Sequence, residues 1–206
     1  MRQRSRAFII ADANDPSSRV LFINAGSSFL SIPSRFTTLS TDGISFRSDI
    51  AMGDTGVRRT IVSELSSQFP GLYSDSNIAF VGTHQHSGVG GYLENLLPQI
   101  TALGYVNASA AAIIQGTVLA AQRAHASLSP GTLSVGNTTI PDGNRNRSPS
   151  AYLANPEEER ARYEFDQDKD FTLVRFDDAE SGNARGFLSF FAVHGTSIYE
   201  NNTLVS

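Results

Sequence analysis

Two histidines one residue apart, His84 and His86, stand in the run Val81-Gly82-Thr83-His84-Gln85-His86-Ser87-Gly88-Val89-Gly90-Gly91. At the end of an apolar strand such a pair points to one face, because strand side chains alternate with period two. The glycine-rich turn that follows lets backbone come close to whatever the rings hold. Imidazoles at a strand end beside an open turn suit a metal site. The alternative is a pair of polar residues in a surface loop. The chain has only 4 histidines, and half of them are here.

A third, His194, ends the apolar run Phe187-Leu188-Ser189-Phe190-Phe191-Ala192-Val193 and precedes Gly195. Its setting repeats that of His84, and catalytic zinc sites gather ligands from separate elements while leaving a position for water. Alone it would read as a hydrogen-bonded structural histidine. His125 closes an Ala-rich helical stretch, where a partly charged imidazole suits the helix dipole; a structural role is the preferred reading. Arg147, in Asn144-Arg145-Asn146-Arg147-Ser148-Pro149, could hold a carbonyl oxygen or a developing oxyanion, although arginine in a polar loop is usually solvated. Glu157, Glu158, Glu159, Asp166, Asp168 and Asp170 read as a solvated face with no ligand among them.

These residues need a scaffold, and 206 residues at 40% hydrophobic are enough for one sizeable core. With no cysteine, disulfides, thiol nucleophiles and cysteine zinc ligands are excluded. The net charge of -4 gives no basic surface for nucleic acid. No apolar run has the length of a membrane span. Ala7–Ala11 is too short for the apolar region of a signal peptide and reads as a first strand. Asn-x-Ser/Thr sequons at Asn107, Asn137, Asn146 and Asn201 matter only for a secreted chain.

Val20–Asn24 reads as a second strand after the turn-rich segment 12–18. Segment 25–47 follows no clean period and reads as an irregular insert. Asp54 or Thr55 caps a helix with Val57, Ile61, Leu65 and Phe69 on one face, ended by Pro70-Gly71. Residues 77–83 form an apolar strand suited to burial on both faces. Tyr92–Leu103 reads as a helix with Leu93, Leu96, Leu97 and Ile100, bent at Pro98. Asn107 caps a long helix to about His125. A short strand at 133–135, a charged helical turn at 156–163 and strands at 171–176 and 187–193 complete the reading. Alternation early and a hairpin late predict an α/β fold, a mixed-sheet layered domain with flanking helices, incomplete as given.

The motifs together resemble the neutral (non-lysosomal) ceramidases, zinc-dependent amidases that split ceramide into sphingosine and a fatty acid. The resemblance rests on Arg4-Ser5-Arg6-Ala7-Phe8-Ile9, Gly71-Leu72-Tyr73, Gly82-Thr83-His84-Gln85-His86-Ser87-Gly88 with Gly90-Gly91-Tyr92, Ala124-His125, Asn146-Arg147-Ser148-Pro149, Tyr152-Leu153, Asn155-Pro156, Glu158-Glu159-Arg160, Asp168-Lys169-Asp170 and His194-Gly195-Thr196-Ser197. Several motifs in the right order make it far more specific than one His-x-His.

The resemblance implies a role for each residue. His84 matches the family's first zinc ligand and His194 the second. His86 matches a non-ligand histidine beside the metal that assists proton transfer or binds the tetrahedral intermediate. Arg147 matches the active-site arginine. It implies Zn2+ as cofactor, ceramide at a membrane or micelle surface as substrate, and a secreted or membrane-surface location for the parent enzyme. Gln85 and Val89 replace a frequent Thr and Pro at peripheral positions. The family's other zinc ligands, a Glu and a Tyr, and an immunoglobulin-like domain would lie beyond residue 206. The chain thus reads as 1–206 of a partial catalytic domain, inactive by itself. Segment 25–47 has no family counterpart; it reads as translated intron or gene-model error, with a lineage-specific loop as alternative. A different metal-dependent amidohydrolase and a truncated non-catalytic product remain open. Against the former, a lactamase-type site wants Asp where Gly88 stands, and a barrel needs repeated βα units.

Overall fold

The turn Asp12–Ser18 is built by aspartates that cap their own backbone. Asp12 Oδ1 accepts the amides of Asn14 at 2.7 Å and Asp15 at 3.3 Å, and Asp15 Oδ1 accepts that of Ser17 at 3.1 Å. The turn joins β1 (Ser5–Ala11) to β2 (Arg19–Ala25), antiparallel from Ser5 opposite Ala25 to Ala11 opposite Arg19. A computed structural model describes residues 5–25, 52–84, 86 and 88–194. Beyond Ala25, segment 25–47 lies outside the described residues.

The described residues divide into two units, one up to Pro130 and the other Gly131–His194. In the first, β3 (Ile78–Gly82) runs parallel to β2, which gives a mixed sheet of order β1-β2-β3. Alternate residues of β2, Leu21, Ile23 and Ala25, are fully buried, as the period of a strand with one packed face requires. Helix α1 (Thr55–Gln68) brings Val57, Ile61 and Leu65 to the same core. Helix α3 (Asn107–Ala126) packs on β1, β2 and α1. Its buried face is mostly small, Ala110, Gly116, Thr117, Ala121 and Ala124 around Ile113, so backbones approach closely. The buried Thr117 hydroxyl is satisfied by Ser5 Oγ at 3.1 Å.

Several expectations change. Strand β3 is not buried on both faces: Ile78 is buried, but Val81 is exposed. Apolar runs alone do not distinguish the centre of a sheet from its flank. The helix expected over 92–103 shrinks to α2 (Leu96–Thr101). Pro98 falls in its first turn, where a missing N–H costs nothing, so no bend results. Leu96, Leu97 and Ile100 are exposed there, while Tyr92 is buried outside the helix. Asn107 is the first helical residue of α3 rather than its cap; Val106 holds the cap position.

The second unit is an antiparallel meander, β4 (Gly131–Thr139), β5 (Asp170–Asp178) and β6 (Ala184–Phe191). Two short helices, α4 (Pro149–Leu153) and α5 (Glu157–Arg160), lie between β4 and β5. Helix α4 was not expected; Pro149 opens it with its φ already set. In the β5–β6 turn, Asp178 Oδ1 accepts the amides of Glu180 at 3.1 Å and Ser181 at 2.9 Å, and Gly182 takes φ +66°. Strand β4 is longer than the three residues expected and exposed throughout. The α/β fold with mixed sheet and flanking helices is as expected; the late hairpin belongs to a second, wholly antiparallel sheet.

Candidate functional site

Strand β3 ends at Gly82, with only Thr83 between it and His84. Thr83 still donates its amide to Ala25 O at 3.2 Å. His84 then takes φ +55°, one of two non-glycine residues with positive φ among the described residues, the other being Leu103. That conformation costs on the order of 1 kcal/mol for a residue with a Cβ, and such strain concentrates at functional sites. The two rings therefore meet through this turn and not through strand alternation. His84 Nε2 lies 3.3 Å from His86 Nε2, with ring centroids 4.9 Å apart and planes nearly perpendicular. Two nitrogens each about 2.0–2.1 Å from one tetrahedral zinc are separated by roughly this distance. The pair thus fits either direct contact between imidazoles or nitrogens set around a common ion. Both side chains are exposed.

The loop is clamped downstream of the rings. Buried Asp54 caps α1, with Oδ1 accepting the amides of Gly56 at 2.9 Å and Val57 at 3.0 Å, while Oδ2 accepts the amide of Glu94 at 3.0 Å. The Tyr92 hydroxyl donates to Met52 O at 3.0 Å. Gly91 has φ +78°, and a Cβ there would come within 2.8 Å of Val106 Cγ2, so only glycine fits. A Cβ at Gly56 would meet the Glu94 carboxyl at 1.9 Å, which puts that carboxylate over the positive end of α1. The sequence marks Asp54 as a cap; that its second oxygen and Tyr92 anchor the histidine loop carries no local signature.

In the second unit, Arg147 NH1 lies 3.2 Å from His194 Nε2 and 3.5 Å from Nδ1. NH1 is nearly equidistant from the two ring nitrogens, so the guanidinium lies over the imidazole face rather than along either lone pair. Asn146 shapes the turn before α4: its Oδ1 accepts the Ser148 amide at 2.8 Å and its Nδ2 donates to Asp166 O at 3.1 Å. The amide of this sequon is thereby engaged. The structure brings His84 to His86, and Arg147 to His194.

His125 is structural, as expected, but for a different reason. Its Nδ1 lies 2.8 Å from the Tyr73 hydroxyl, and its ring packs on Phe69 with centroids 4.2 Å apart. Burial first, and then the Arg19 guanidinium, lower its pKa below 6.5. Both causes favour the neutral imidazole over the partly charged one expected beside the helix dipole. The acidic stretch stays an exposed face. Glu159 accepts from Arg162 at 3.0 Å and from the Tyr163 hydroxyl at 2.8 Å, which raises the tyrosine pKa.

The profile of the family described as neutral/alkaline non-lysosomal ceramidase, N-terminal, matches residues 40–206. The chain belongs to this family. The match begins inside segment 25–47. Among curated relatives, the neutral ceramidase of Oryza sativa is 37% identical over 205 residues, covering 100% of this chain and 23% of its own length. That of Drosophila melanogaster is 36% identical over 202 residues, covering 98% and 25%. The crystal structure of neutral ceramidase from Pseudomonas aeruginosa superposes with a TM-score of 0.82 at 31% identity, covering 100% of this chain and 28% of that one. The chain spans about a quarter of the length of these relatives. No helix among the described residues is long and apolar enough to cross a membrane.

Proposed function

We propose that the protein containing this chain hydrolyses the N-acyl amide of ceramide, giving sphingosine and a fatty acid, and that His84 and His194 are two of its zinc ligands. Family membership supports the reaction class. The observation that carries the His84–His86 half of the site is His84 held at φ +55° with its Nε2 3.3 Å from that of His86, which keeps His86 within reach of a group held at His84; the assignment of His194 rests on family resemblance. The donors are chemically apt, since neutral imidazoles are good zinc ligands and the chain has no thiolate to compete. When bound, zinc polarises an amide carbonyl and makes water nucleophilic near neutral pH.

The chain's own residues do the rest. Water adds to the carbonyl carbon, negative charge develops on the carbonyl oxygen, and the C–N bond breaks as the amine takes a proton. Arg147 offers planar, permanently charged donors to the developing oxyanion. His86 carries the proton from the attacking water to the leaving amine, a task for an imidazole, which has one nitrogen to accept and one to donate. These 206 residues supply two of four zinc ligands and are inactive alone. The whole protein acts at a membrane or micelle surface, secreted or on the cell exterior, because its substrate is a membrane lipid.

The test is fatty-acid release from a ceramide by the protein at the full length of its relatives, with and without a zinc chelator, beside His84→Ala and His86→Ala. Chelator-sensitive release, zinc lost in His84→Ala and zinc kept in His86→Ala would support the reading. No release from folded, zinc-loaded protein would overturn the substrate and leave a metal-dependent hydrolase of another amide. Zinc lost equally in both variants would make His86 a ligand and leave the proton without a carrier.

A further inference from the structure

We propose that Asn144, three residues before Arg147, is a positioning residue that ties the Arg147 loop to the end of β6 and so sets Arg147 against His194. The proposal rests on the reading of Arg147 and His194 as site residues. Asn144 Nδ2 donates to Asp168 O at 2.8 Å and to Ala192 O at 2.5 Å. Ala192 is two residues from His194. Both oxygens of Asn144 are engaged as well. Gln167 Nε2 donates to its backbone O at 2.8 Å and to Oδ1 at 2.9 Å, and the buried Lys169 donates Nζ to the same backbone O at 3.0 Å.

The preceding residue reports the same seam independently. A Cβ at Gly143 would lie 2.7 Å from Phe191 Cζ and 2.8 Å from Ile140 Cγ2. Glycine lets the chain pass this close to the last residue of β6 without displacing the Phe191 ring or Ile140, and Asn144 then bonds the next carbonyl along. The contacts close a ring: Asn144 to Ala192, along the chain to His194, across to Arg147, and back to Asn144. A loop tied by side chain–backbone bonds holds one geometry without needing a hydrophobic core beneath it. Small displacements of a group that must meet a reacting atom cost on the order of 100-fold in rate, so a tie here acts on turnover rather than on substrate affinity.

The test compares Asn144→Ala with Leu188→Ala, which weakens the same unit by packing alone. In the full-length enzyme, Asn144→Ala is expected to lower kcat by roughly 10- to 100-fold with KM changed less than about 3-fold, while Leu188→Ala lowers the melting temperature and leaves kcat near normal well below it. In the 206-residue chain, Asn144→Ala is expected to shift the ¹⁵N signals of the Arg147 guanidinium and the His194 ring, and Leu188→Ala is not. This second readout needs no turnover, so it decides the tie even if ceramide is not the substrate. If Asn144→Ala does not fold, Gln167→Met, which removes both bonds from Gln167, is expected to give the same shifts at smaller size. Unmoved signals with unchanged kcat, or equal kcat losses in Asn144→Ala and Leu188→Ala, would overturn the proposal.

Discussion

The two units hold their histidines by different means. The first has a packed interior in which Leu21, Ile23, Ile61, Leu65 and Ile113 are fully buried, and His84 leaves it at the end of a strand. In the second, Leu188 is the only hydrophobic residue buried among the described residues, and Lys169 is buried beside the loop it bonds. Geometry in the first unit follows from packing, which is non-directional but extensive. In the second it follows from directional bonds of Asn144, Asn146 and Gln167. The contrast teaches that a site can draw equal order from a core and from a polar strap, yet each fails in its own way: loss of packing lowers stability broadly, whereas loss of a strap bond displaces one loop.

The largest test of that contrast is Ile61→Ala, expected to cost about 2–5 kcal/mol because a fully buried side chain leaves a cavity. Val135→Thr on exposed β4 is expected to stay within about 0.5 kcal/mol. Equal shifts in denaturant midpoint for the two would erase the distinction between the units. Next, Asp54→Ala removes a cap and the tie to Glu94 and is expected to cost about 1–2 kcal/mol. It should also broaden the His84 and His86 ring signals; unchanged rings would show that Asp54 serves α1 alone.

Gly91→Ala is expected to exceed Gly56→Ala in cost. At Gly91 the backbone is left-handed and the obstacle is the branched Val106. At Gly56 the obstacle is the end of a flexible Glu94 that can swing aside. Thermal unfolding of the pair checks the order. The smallest effect is pH-dependent. The lowered His125 pKa means that the unfolded chain binds a proton at higher pH than the folded one. The stabilisation is present above about 6.5 and fades as pH falls toward the lowered folded value. His125→Gln should flatten that acid-side slope in stability, measured by denaturation between pH 7 and 5; an unaltered slope would assign it elsewhere.

Much of the first unit was legible. Asp54 before Val57, Ile61 and Leu65 announced α1, and the turn after Ala11 announced the first hairpin, because capping and periodicity are local. Tyr92–Leu103 misled because leucines at helical spacing do not reveal that they stay exposed or that Tyr92 anchors to Met52. The lowered His125 pKa is not legible locally, since the burial and the Arg19 guanidinium that depress it come from distant residues. His84 and His86 are legible as a pair, but a left-handed turn at His84, and not strand alternation, brings their rings together.

By itself the sequence determined which residue types could do chemistry, and in which order. The absence of cysteine left histidine to carry any soft-metal ligation, and motif order alone was enough to suggest the family. Only the tertiary structure decided how those residues are held: that Asp54 serves two elements, that Asn144 bonds Asp168 and Ala192, and that Arg147 lies against His194. The physical reason is range. Caps, turns and periodicity act over a few residues and are written locally. A hydrogen bond between residues 48 apart, such as Asn144 to Ala192, depends on a strand and loop meeting in space, which no local pattern encodes.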